Sequence, residues 1–77
     1  MTRSLFALTL AAGAWLLAAA ASAQASSHLR AAEEAYLDVD FERVRSRALE
    51  ALRGGGLTPP ELVRTYELLG VASSALR

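Results

Sequence analysis

From Leu5 to Ala21 the chain carries no charged side chain, and this run decides how much of the sequence is left to fold. Leu5, Phe6, Leu8, Leu10, Trp15, Leu16 and Leu17 stand among alanines. Arg3 and the amino terminus precede them with positive charge. Ala21-Ser22-Ala23 follows, and small side chains at its first and third positions suit the shallow pockets of a signal peptidase. A charged start, an apolar middle and a small-x-small end make up a secretory signal peptide. Residues 1–23 are therefore expected to be a leader cut after Ala23, leaving Gln24 first. Ala23-Gln24-Ala25 offers a second register, two residues later. The other reading is an uncleaved membrane anchor, for which about 17 residues is the lower bound of a spanning helix. Export implies a periplasmic or secreted location.

About 54 residues then remain, enough for one small domain whose core is short of area. The whole chain has 77 residues and is 53% apolar, but the leader holds much of that fraction. Eight basic and eight acidic side chains cancel, so no overall field favours nucleic acid. The absence of cysteine removes disulfides, thiolate chemistry and cysteine metal sites together.

Helical periodicity recurs three times in residues 24–77, and no strand pattern is present. The first helix is expected over about 28–39, capped by Ser27, with Leu29, Ala32, Tyr36 and Val39 on one face. The second is expected over about 41–53, capped by Asp38 or Asp40. Its stripe is Phe41, Val44, Ala48, Ala51 and Leu52, and Gly54-Gly55-Gly56 ends it. The third is expected over about 59–76. Thr58, Pro59 and Glu61 form a capping box with proline where a missing N–H costs nothing. Leu62, Tyr66, Leu69, Ser73 and Leu76 mark its apolar face. The fold class that follows is all-α: a helical hairpin plus a third helix, behind an N-terminal signal helix.

The stretch Ala35-Tyr36, Asp40-Phe41-Glu42-Arg43 and Ala48-Leu49-Glu50-Ala51-Leu52 resembles the end of one helix and the whole of the next in a tetratricopeptide repeat. That family's pattern is a small residue and Tyr, then Gly-Asp-Tyr/Phe-Glu-x-Ala, then a helix ending in Ala-Leu. Tyr66-Glu67-Leu68-Leu69-Gly70-Val71-Ala72 resembles the first helix of a following repeat. Val44 stands where the family favours Ala, the repeat's terminal proline is missing, and Gly54 to Pro60 makes a longer connection. The resemblance implies that Tyr36, Phe41, Ala48, Leu69 and Gly70 pack between helices. Phe41 would fill the space at the turn, and Gly70 would let a facing helix approach. It also implies an incomplete repeat scaffold, since one and a half repeats do not bury their own apolar faces.

Chemistry is thinly represented. His28 has Glu33 and Glu34 nearby but no second nitrogen or sulfur ligand, so it reads as a solvated side chain rather than a metal site. Glu33, Glu34, Asp38, Asp40 and Glu42 oppose Arg43, Arg45, Arg47 and Arg53, which reads as complementary solvated faces. The glycine triplet follows a helix, and Pro59 and Pro60 lack amide donors for a phosphate. Ser26, Ser27, Ser73 and Ser74 have no base beside them. No catalytic residue, metal or cofactor is expected. The sequence points to an exported noncatalytic interaction module whose partner is another protein or a second copy of itself.

Overall fold

The computed structural model describes the backbone from residue 2 onward and the side chains of residues 20–77. The body of the expected leader, Leu5 to Ala19, lies outside the described side chains. Three helices follow one another: α1 (Thr2–Leu37), α2 (Phe41–Gly54) and α3 (Pro59–Ala75), with no strand among the described residues. α2 packs against both neighbours, while α1 and α3 touch each other least.

α1 does not begin at Ser27. It is already helical through Ala20–Ser26, so Ser27 is an interior position and caps nothing. Alanine is the best helix former, and the alanines on either side of the expected cut carry the helix through it. α1 ends at Leu37, two residues before the expected Val39. Its end is closed by two backbone bonds: Asp40 N–H donates to Ala35 O at 2.9 Å, and Val39 N–H donates to Tyr36 O at 3.1 Å. These are the paired bonds of a Schellman turn, whose pivot residue takes a left-handed backbone. Here the pivot is Val39, at φ 58°. A β-branched residue is strained there, and glycine would not be.

Asp40 then caps α2, accepting from Arg43 N–H at 3.3 Å through Oδ1. Of the two candidate caps it is Asp40 that acts. Gly55 and Gly56 have φ of 67° and 83°, so the glycine triplet stops α2 by taking backbone that other residues avoid. α3 opens with the full capping box. Glu61 N–H donates to Thr58 Oγ1 at 3.4 Å, and Thr58 N–H donates to Glu61 Oε1 at 3.0 Å.

The core is built mostly of small side chains. Leu29, Ala32 and Ala35 of α1 meet Val44 and Ala51 of α2, and Leu68 and Ala72 of α3. Ala25 and Ala48 are equally inaccessible. Phe41 and Leu57 pack on the edge of this cluster. The largest fully buried side chains are Leu68, Val44 and Thr65. Thr65 is tolerated because its hydroxyl donates to Glu61 O one turn back at 2.7 Å.

Candidate interaction surface

α3 presents two stripes to its surroundings. The buried one is Thr65, Leu68 and Ala72, in line with Glu61 at the helix start. The expected one, Leu62, Tyr66, Leu69, Ser73 and Leu76, lies one residue on, about 100° round the helix. It is not the core face. Leu62 and Leu69 are half-buried, Tyr66 is 57% exposed, and Ser73 and Leu76 are exposed. The strip beside the core therefore stays only partly covered, with Tyr66 its most exposed large side chain.

The other packing residues fall into distinct places. Ala48 is fully buried. Phe41 is half-buried, and its ring meets that of Tyr36 edge-on, with centroids 6.5 Å apart and planes at 72°. Tyr36 itself is 39% exposed and forms the rim of the α1–α2 turn. The Arg64 guanidinium of α3 stands 6.0 Å from its ring centroid. Val39 is exposed and lies outside the core. Gly70 is exposed, and a Cβ added there would meet nothing within 4 Å, so no helix approaches it closely. The close approach occurs instead at Gly56. A Cβ there would stand 3.0 Å from the Cα of Ser22 and 3.2 Å from its N.

The polar groups tie helices together in pairings that differ from the expected faces. Among the described residues no ion pair links the acidic side chains of α1 to the arginines of α2. Glu33 accepts from Arg64 Nε of α3 at 3.0 Å, and Arg47 pairs with Glu50 on its own helix at 3.4 Å. His28 is half-buried rather than freely solvated. Its Nδ1 lies 3.0 Å from Glu50 Oε2, across the α1–α2 interface. Glu33 and Glu34 do not join it, and among the described residues no cluster of three or more His, Asp or Glu is placed to hold a metal ion.

Sequence reasoning placed Glu61 in the capping box but missed that it is the centre of this network. Besides its cap role it accepts from Ser26 Oγ of α1 at 2.8 Å. The Thr58 backbone N–H, and after it the Ser26 and Thr58 hydroxyls, hold its carboxyl below the usual glutamate range. Nothing local marks Ser26 as its partner, since the two are 35 residues apart. Between α1 and α3 runs an open groove of about 370 Å³, lined by Ser26, Leu29, Arg30, Glu33, Pro60, Glu61 and Arg64. The carboxylates of Glu33 and Glu61 and the guanidinium of Arg64 are engaged with one another's helices, so these groups act as fasteners across the groove.

Among the described residues no helix is long and apolar enough to cross a membrane. No family model matches the sequence, and comparison with curated proteins and with solved structures returns no match.

Proposed function

We propose that residues 24–77 are an exported, noncatalytic helical interaction module, released from a leader of residues 1–23. The observation that carries this reading is the partly covered strip of α3. Leu62, Tyr66, Leu69 and Leu76 adjoin the core without entering it, with Tyr66 57% exposed. A domain this small has little apolar area to spare, and leaving such a strip in water forgoes about 25 cal/mol for each Å². Another polypeptide covers the strip, and when the protein is alone a second copy does so.

The position of the core bears on the register of the cut. Among the described residues, buried side chains begin at Ala25, two positions after Ala23. A cut after Ala23 keeps this buried residue, whereas a cut after Ala25 removes it. The helical-repeat reading has support at the α1–α2 turn. The glycine of the Gly-Asp-Phe pattern falls at Val39, and Val39 takes the left-handed backbone that a glycine would take.

Expression of the full chain in a bacterium tests the reading. The protein should be recovered from the periplasm with Gln24 at its amino terminus. Recovery only as full-length protein in membranes would instead make residues 1–23 an anchor.

A further inference from the structure

The junction at which the leader would be cut is not a free tail. α1 runs unbroken through Ala21, Ser22, Ala23 and Gln24. The carbonyls of a helix are engaged with N–H groups one turn on, and its bonds are turned away from the extended form that a protease cleft accepts. The glycine loop lies on this same segment. Ser22 Oγ donates to Gly56 O at 3.0 Å. Gly56 sits so close that an added Cβ would stand 3.0 Å from Ser22 Cα and 3.5 Å from Ala21 C. Gly56 reaches this position only through its positive φ of 83°.

We propose that the Gly55–Gly56 loop is a guard on the leader junction: once the helices dock, the loop holds Ala21–Ala23 helical, so processing precedes docking. The inference rests on the leader reading above and adds an order of events to it. Cleavage is a hydrolysis. Water adds across the Ala23–Gln24 amide, the C–N bond breaks, and Ala23 leaves as a carboxylate while Gln24 gains an amino group. For that bond to enter an extended cleft, residues 21–24 must unwind. In the docked state the loop must first lift from Ser22. Cleavage of a folded segment is slowed by the population of its open form. The contact is also spent by the cut, because Ser22 leaves with the leader. The loop of the mature protein has lost its partner and the domain cannot return to the guarded state.

The test uses the full-length precursor in detergent with purified bacterial signal peptidase, reading the product that begins at Gln24 by mass spectrometry. Precursor kept in native buffer should be cut about tenfold more slowly, or worse, than precursor diluted from urea directly into the enzyme. Ser22→Ala keeps a small side chain at the junction but removes the bond to Gly56. It should speed native cleavage by about twofold to tenfold, the range of one hydrogen bond, and leave cleavage of urea-released precursor unchanged. Gly56→Ala should speed native cleavage further by forcing the loop off Ser22. Equal rates for native and urea-released precursor, or no response to Ser22→Ala, would overturn the guard while leaving the leader reading in place. No cleavage between Ala23 and Gln24 even from urea would overturn both.

Discussion

The α1–α2 interface and the flank of α3 are both apolar and end in opposite conditions. Between α1 and α2, Ala32, Ala35, Ala48 and Ala51 are fully covered, and Val44 is the largest side chain from α2 buried there. Small residues let the helices approach until no space remains. On α3, Leu68 and Ala72 are drawn into that core, while Tyr66 and Leu76 on the neighbouring stripe stay exposed. Close packing in one region leaves no room to receive the larger residues of the other. The α1–α2 contact is filled, while the strip of α3 beside the core is only partly used.

The contrast predicts opposite responses to mutation. Leu68→Ala should cost most, about 2–5 kcal/mol, because it empties the largest fully buried position. A small domain with that loss should show no cooperative thermal transition by circular dichroism. Phe41→Ala should cost less, since Phe41 is only half-buried. Ala48→Leu should cost about 1–3 kcal/mol by overfilling the hairpin. Persistence of the wild-type melting temperature in Ala48→Leu would mean that the α1–α2 contact is loose, and the contrast would collapse.

Smaller changes sharpen the picture at the turns. Thr58→Ala should cost about 1 kcal/mol through loss of the α3 cap, a fall in melting temperature of about 4–8 °C. Val39→Gly should raise stability by roughly 0.5–1 kcal/mol, because the left-handed position no longer carries a β-branched side chain. A drop on this substitution would show that the strain at φ 58° is offset by packing of the valine.

The smallest effect is a pH dependence centred on Glu61. Its carboxyl is held below the usual glutamate range by the Thr58 N–H and then by the Ser26 and Thr58 hydroxyls. A lowered pKa means that the ionised form is favoured by folding. Its contribution is therefore full at neutral pH and is lost as pH falls through the lowered value. Wild type should lose its advantage over Glu61→Gln on acidification below the ordinary glutamate range. A constant gap between the two melting temperatures down to strongly acidic pH would remove this role.

The two regions also differ in how legible they were. The start of α3 was readable because a capping box is written in four adjacent residues, Thr58 to Glu61. The ends of α2 were readable for a similar reason, with Asp38 or Asp40 as its cap, of which Asp40 acts, and the glycines at its end. The face that α3 buries was not. Its apolar period fits Leu62, Tyr66, Leu69, Ser73 and Leu76, yet the core takes the stripe carrying Thr65. In that stripe the threonine hydroxyl is satisfied by Glu61 O, and Ser26 of α1 reaches the Glu61 carboxylate in line with it. The start of α1 was misplaced because Ser27 has the chemistry of a cap, while the alanines before it keep the helix going. Close approach was assigned to Gly70 from a family pattern, and the fold spends it at Gly56, against Ser22 of α1.

The interaction reading stands on the α3 strip, and Tyr66→Glu in a protein of residues 24–77 tests it most directly. Tyr66 is 57% exposed, so the charge should leave the three helices folded by circular dichroism. Sedimentation equilibrium of the purified wild type should show association that rises with concentration, and Tyr66→Glu should sediment as a monomer at every concentration. A wild type that stays monomeric throughout, with a sharp melting transition independent of concentration and unchanged by Tyr66→Glu, would contradict an α3 strip that needs covering.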